Sequence, residues 1–227
     1  SHMSGHNLQV YAGMIASLDR SIGKIIEKLK DLNIYGKTMI IFTSDNGGAN
    51  YIELKDINKP FRGWKISFFE GGIRVPFIVS WPDKISPGLT SNSAVHHFDI
   101  FPTIVSATKT TTSNKKELDG VNLLPYIKKE NSDEPHETLF WRSGNHQSVL
   151  HKKWKYIVSK KENKSWLFDT SIDPLEKNNL IESHPKEAQK IEELLVQFNS
   201  EQKEPLFPSA FEAPIMIDKY DGQTYEE

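Results

Sequence analysis

Residues 38–48, TMIIFTSDNGG, run four large apolar side chains, Met39 to Phe42, into Ser44, Asp45, Asn46, Gly47 and Gly48. A carboxylate beside a side-chain amide offers two hard oxygen donors of the kind that Ca²⁺ and Mg²⁺ take. The glycines behind them let the backbone turn sharply. The same residues also suit a plain turn whose Asx side chains bond their own backbone, and the tetrapeptide alone favours that turn over a site. The following loop, NKPFRGWKISFFEGGIRVPFIVSWP at 58–82, carries Lys59, Arg62, Lys65 and Arg74 among aromatics and glycines. Cations next to a metal site are what an oxyanionic substrate needs. Taken singly, each of these lysines suits a solvated loop better.

These residues need elements to hold them. From Leu8 to Leu32 the apolar positions Tyr11, Met14, Ile15, Leu18, Ile22, Ile25, Ile26 and Leu29 recur at helical spacing, with Asp19, Lys24, Glu27 and Lys28 between them. That pattern predicts an amphipathic helix. The short apolar run Thr38–Thr43 and a second one, Val75–Trp81, predict strands covered on both faces. Helix, strand, long loop and strand together read as an α/β sheet with parallel strands. Asp45 and Asn46 then lie beyond the carboxyl end of a strand, where ligands bind in such sheets. The glycine-punctuated connection 47–73 is too long to be idle.

HHFDIFPTIVSAT (96–108) predicts a short helix with Pro102 near its start, and TKTTTSNKK (108–116) a polar surface loop. After Pro135 the pattern changes to strand-sized pieces at 138–141, 147–150, 155–158 and 166–169 separated by turn residues, as in an antiparallel sheet. Ala188, Ile191, Leu194, Leu195 and Phe198 mark one face of a helix at 185–201, and an irregular, proline-bearing tail follows Pro205. Trp141, Trp154 and Trp166 suit core or interface better than a sugar-stacking surface, and the lysines at 152–164 read as a solvated face.

Composition narrows the classes. The 227 residues are 37% hydrophobic and 11% aromatic, with a net charge of −2 and no cysteine. This suits a globular domain with a core, gives no cause to expect a nucleic-acid partner, and rules out disulfides, thiolate metal sites and a cysteine nucleophile within the chain. No apolar run approaches the ~20 residues of a membrane span. Ser1-His2-Met3 has the look of an expression-vector scar and is set aside.

Five stretches, FTSDNGG, FRGWKISFFEGGIRVPFIVSWP, HFDIFPTI, DGVNLLPYI and LFDTSIDPLEKNNL, stand in the order seen in type I sulfatases. The chain resembles that formylglycine-dependent family of the alkaline phosphatase superfamily from about Leu8 to Phe198. The resemblance implies the C-terminal part of a mostly parallel α/β sheet flanked by helices over residues 4–135. A small antiparallel sheet and helix subdomain would follow at 136–204, and an irregular tail at 205–227. It matches Asp45 and Asn46 to the last two metal ligands, for Ca²⁺ with Mg²⁺ as the alternative, and Lys65 to the catalytic lysine that contacts the substrate sulfate. Arg62, Glu70, Gly71, Gly72 and Arg74 match the framework around that lysine. Asp99, Pro102 and Thr103 match a D-x-x-P-T element read as structural, and His96 and His97 are candidates for the substrate pocket.

The activity implied is hydrolysis of a sulfate ester, on a sulfated small molecule or glycan, by a bacterial protein of the periplasm or exterior. The glycan preference rests on the look of the tail FEAPIMIDKYDGQTYEE. Two other readings are a phosphodiesterase or phosphonate monoester hydrolase of the same superfamily, and a non-catalytic binding module that keeps the scaffold. The family's formylglycine arises from Cys or Ser in a C/S-x-P-x-R motif. This chain has no cysteine, and the positions four before its four arginines hold Ala16, Asn58, Glu70 and Thr138. The motif is absent. The expectation is therefore a C-terminal portion whose partner is the N-terminal half of the same protein. By itself it would be inactive, weak for Ca²⁺ because two ligands fall short of the usual six to eight, and prone to expose apolar sheet surface around residues 38–43.

Overall fold

The computed structural model describes residues 5–49, 54, 57–111, 117–160, 162–204, 206, 219–220 and 223–224. The predicted polar loop at 108–116 therefore lies outside the described residues beyond Thr111, as does most of the tail after 204. The chain is mixed α/β and divides into two compact units. One comprises Ser1–Ile22, Phe42–Phe77 and Thr138–Glu227, the other Gly23–Ile41 and Ile78–Glu137.

The first helix, α1, spans His6–Asp31 and carries Lys28 and Lys30 in its last turn, where cations suit the negative end of the helix dipole. It stops at Asn33, which takes the left-handed conformation with φ 54°, a conformation that a short polar side chain tolerates. The amphipathic pattern is present, but no residue of α1 is buried, and Met14 and Ile25 are 65% and 60% exposed.

Strands β1 (Ile40–Thr43) and β2 (Phe77–Ser80) form a two-stranded sheet. The expectation that these runs are covered on both faces is corrected here. Neither strand holds a buried residue, and Ile78 is 56% exposed. An apolar run declares that a strand suits a dry setting; the covering layers must come from elsewhere, and two strands cannot supply them.

Strands β3 (Thr138–Ser143), β4 (His146–His151), β5 (Trp154–Ser159) and β6 (Lys164–Asp169) make an antiparallel meander in that order. Pairs such as Leu139↔Leu150, Val149↔Tyr156 and Tyr156↔Leu167 fix the register. The period of two sorts each strand's side chains. Val149, Tyr156 and Leu167 pack against Ala188, Ile191 and Leu195 of the helix Pro185–Glu201. That helix opens with proline at its first position, where no N–H is missed. Ile157, Trp166 and Phe168 cluster with Phe69, from the loop that precedes β2. The sheet thus has a helix on one face and the 62–72 loop on the other. In the tail, Lys219–Tyr220 pairs with Gln223–Thr224 as a short antiparallel hairpin, an order that composition alone did not announce.

In the second unit a single 3₁₀ turn, His97–Asp99, leads into the helix Ile100–Thr108. Buried Asp99 accepts the backbone N–H groups of His96 (2.7 Å) and Val121 (2.9 Å), and its carboxylate lies 2.8 Å from His136 Nε2. Thr103 Oγ1 accepts the Leu123 N–H at 2.9 Å. The D-x-x-P-T element thus ties the segment 121–123 to the start of a helix.

Candidate functional site

The site is built where the turn after β1 meets the loop 58–74, both within the first unit. In the turn, Asp45 Oδ1 accepts the Asn46 N–H at 3.0 Å and Ser44 Oγ donates to the Asn46 carbonyl at 2.9 Å. Asn46 Nδ2 donates to the Gly47 carbonyl at 2.9 Å. Asp45 is exposed and Asn46 half-buried. The side-chain-to-backbone bonds of the turn reading are made, and the same two residues carry the oxygen atoms that the ligand reading needs.

Two backbone hydrogen bonds join the two segments, and two more close the loop on itself. Gly47 N–H donates to Gly72 O (2.8 Å), Lys65 N–H to Gly48 O (3.1 Å), Gly71 N–H to Arg62 O (2.6 Å) and Gly72 N–H to Phe69 O (2.8 Å). The glycines are there for space. A Cβ on Gly47 would overlap the Gly71 carbonyl oxygen, while Gly63 sits at φ +87°, a conformation that glycine takes without cost. The result is that Asp45, Asn46 and Lys65 are carried by one hydrogen-bonded junction. Among the described residues the Lys65 ammonium has no hydrogen-bond or ion-pair partner, so an anion can take it without breaking a bond.

Behind the junction lies a charged centre that sequence reasoning did not find. Lys155 on β5 is fully buried, with Nζ 2.6 Å from Glu70 Oε1 and 2.8 Å from Glu176 Oε1. Glu176 Oε2 also accepts the Glu70 N–H at 2.7 Å, and Arg62 Nη1 donates to the Glu176 carbonyl at 3.0 Å. The Arg62 guanidinium stands 4.3 Å from the centroid of Phe69, within cation–π range. Exposed Arg74 reaches Glu70 Oε2 at 3.4 Å.

Burial would push the Lys155 ammonium toward neutrality, but the Glu176 and Glu70 carboxylates outweigh it and raise its pKa. Burial likewise opposes the Glu70 carboxylate, yet Lys155 with Arg74 behind it holds Glu70 below the ordinary value. Glu176 is the member that yields: burial, with the Glu70 charge nearby, raises its pKa despite Lys155. Like charges sharing one counter-ion are driven apart in this way. The expectation that the lysines of 152–164 form a solvated face fails at Lys155. The signal was available, because Lys155 lies two residues before Ile157 and so shares its inward face. Trp166 is core, at 3% exposure, while Trp141 and Trp154 are half-buried.

His96 and His97 belong to the second unit. His96 caps the 3₁₀ turn, its Nδ1 accepting the Phe98 N–H at 3.3 Å, and its ring stacks on Phe98 with centroids 3.9 Å apart. Burial and the nearby His97 lower its pKa. His97 is exposed.

Asp45 and Asn46 carry hard side-chain oxygens, a donor type chemically suited to Ca²⁺ or Mg²⁺. They are two donors, and the described residues contain no group of three or more His, Asp or Glu side chains that would hold a metal. For a formylglycine the chain's residues do not fit, since it has neither cysteine nor a serine four residues before any arginine.

Residues 2–110 match the family model "Sulfatase", and residues 63–204 match "N-sulphoglucosamine sulphohydrolase, C-terminal". The chain is 38% identical to human N-acetylgalactosamine-6-sulfatase over 119 residues, which cover 52% of this chain and 23% of that protein. It is 28% identical over 206 residues to the N-acetylgalactosamine-6-O-sulfatase of Bacteroides thetaiotaomicron, covering 80% and 40%. Among solved structures it superposes on Ps i-CgsB in complex with k-i-k-neocarrahexaose with a TM-score of 0.81 at 26% identity, over 92% of this chain and 47% of that one. The chain thus spans well under half the length of these curated relatives.

Proposed function

The chain belongs to the sulfatase family, and from that premise we propose that the protein carrying it hydrolyses sulfate esters of a carbohydrate. The observation that carries this is the junction in which Lys65 N–H donates to Gly48 O and Gly47 N–H to Gly72 O, because it joins two oxygen donors and a free ammonium in one hydrogen-bonded unit. The carbohydrate class is supported by the relatives, whose names specify N-acetylgalactosamine-6-sulfate hydrolysis and whose structures include a carrahexaose complex.

In this reading Asp45 and Asn46 hold Ca²⁺, which when bound withdraws charge from a sulfuryl oxygen. Lys65 attracts the sulfate and stabilises the charge that grows on it as the ester bond breaks. Arg62, Glu70, Gly71 and Gly72 fix the loop that carries Lys65, with Lys155 and Glu176 behind them. His96 and His97 stand as substrate-pocket candidates. The nucleophile is not among this chain's residues, so no step through it is assigned to them.

The test is turnover of an aryl sulfate by the whole protein, with a phosphate diester as the comparison substrate. Lys65→Ala and Asp45→Ala are each expected to lower kcat/KM for the sulfate by about 10²–10³-fold, and the sulfate is expected to be the faster substrate. Unchanged turnover in both variants, or preference for the diester, overturns the reading.

A further inference from the structure

We infer that Asn58 is a positioning residue that sets the metal-ligand pair against the sulfate-binding lysine; the inference rests on the roles proposed above for Asp45, Asn46 and Lys65. Its side-chain amide bonds both backbone polar groups of Gly48: Oδ1 accepts the Gly48 N–H at 2.7 Å and Nδ2 donates to the Gly48 carbonyl at 2.9 Å. The same Nδ2 lies 3.3 Å from the Gly63 carbonyl. Gly48 follows Asn46 by two residues and Gly63 precedes Lys65 by two. The Gly48 carbonyl also receives the Lys65 N–H at 3.1 Å. One half-buried amide therefore pins both flanks of the junction, doing for Gly48 what a neighbouring strand would do.

Chemistry restricts which residue can do this. A primary amide presents an acceptor oxygen and a two-proton donor side by side in one plane without charge. Aspartate would keep the bond from Gly48 N–H and turn its second oxygen on two carbonyls. Leucine would fill the same space and make no bond. Gly48 lacks room for a compensating side chain of its own, since a Cβ there would press on the Ile57 side chain at 2.7 Å. Losing the amide frees the donor pair to drift from the ammonium, and displacements of about 1 Å at reacting groups cost about 10²-fold in rate.

The test uses the whole protein with Asn58→Leu, Asn58→Ala and a control, Asn122→Leu, whose half-buried side chain bonds Ser106 and Leu124 in the second unit. All are read below their unfolding temperatures, established by circular dichroism. Asn58→Leu is expected to raise the Ca²⁺ concentration giving half-maximal aryl sulfate turnover, and to keep kcat/KM at saturating Ca²⁺ about tenfold or more below wild type. Amide exchange at Gly48 and Lys65 is expected to quicken in the same variant, whatever the substrate. The control is expected to move none of these. Should Asn58→Leu not fold, Asn58→Ala carries the same readouts. If Asp45→Ala and Lys65→Ala abolish turnover while Asn58 variants match wild type in Ca²⁺ dependence, kcat/KM and exchange, the positioning role is wrong and the sulfatase reading stands. If wild type shows no Ca²⁺-dependent sulfate ester hydrolysis, the sulfatase reading itself falls, and the inference falls with it.

Discussion

Each unit of this chain contains a buried polar centre, and the two are built differently. In the first, one lysine ammonium is shared by two carboxylates: Lys155 meets Glu70 and Glu176 at 2.6 and 2.8 Å. In the second, the Asp99 carboxylate is met chiefly by neutral donors, the N–H groups of His96 and Val121, with His136 Nε2 as its side-chain neighbour. Both centres do the same kind of work, tying a loop to a regular element. A centre held by dipoles loses one hydrogen bond at a time. A centre held by formal charges in a dry setting strands its remaining charges when one is removed. The charged centre sits behind the loop that carries Lys65, so the candidate site depends on the less forgiving of the two.

That contrast can be broken first by Lys155→Met. Removing the ammonium that Glu70 and Glu176 share is expected to cost about 3–5 kcal/mol, read as a lower denaturation midpoint at unchanged denaturant slope. A loss under about 1 kcal/mol would mean that the carboxylates are readily neutralised and that the centre is no more brittle than its neutral counterpart. Next comes Asp99→Asn, which keeps the shape and an acceptor but sets an amide donor against a backbone N–H. A cost of about 1–3 kcal/mol is expected. If it equals or exceeds that of Lys155→Met, the ranking of the two centres is reversed.

A graded effect should follow from pH. His96 has a folded-state pKa below its ordinary value near 6.5, through burial and the neighbouring His97. The unfolded chain therefore binds more protons in that window, so stability contributed by neutral His96 is present above about 6.5 and is lost as pH falls below it. Replacing His96 with phenylalanine is expected to flatten the stability–pH curve between pH 6.5 and 5; a curve unchanged by that substitution removes His96 as its source. The smallest effect on stability belongs to Lys65→Ala. Its ammonium has no partner among the described residues, so the change should stay within about 0.5 kcal/mol while sulfate ester turnover falls. A large stability loss would show that Lys65 is part of the scaffold and sharpen where the site ends.

Much of this was legible along the chain because it follows local periodicity. Alternation in Gln147–Leu150, Lys155–Val158 and Trp166–Asp169 announced the antiparallel meander, and the spacing of Ala188, Ile191 and Leu195 announced the helix that covers it. Where local pattern misled, the missing information was a neighbour. Ile40 and Ile41 read as doubly covered, yet a run of side chains says nothing about which layers are present to cover it. Lys155 read as one of many surface lysines because composition weighs a lysine by its neighbours in sequence, and its partners are not among them.

The sequence by itself determined the family, the order of helices and strands, and the candidate donors Asp45, Asn46 and Lys65, because motif and periodicity are properties of short segments. Only the tertiary structure decided that Asn58 grips Gly48, that Arg62 reaches the carbonyl of Glu176, and that Lys155 lies between Glu70 and Glu176. Lys155 and Glu70 are 85 residues apart in the chain. A buried charge is settled by whichever opposite charge folding brings within about 3 Å, and no local pattern encodes that meeting.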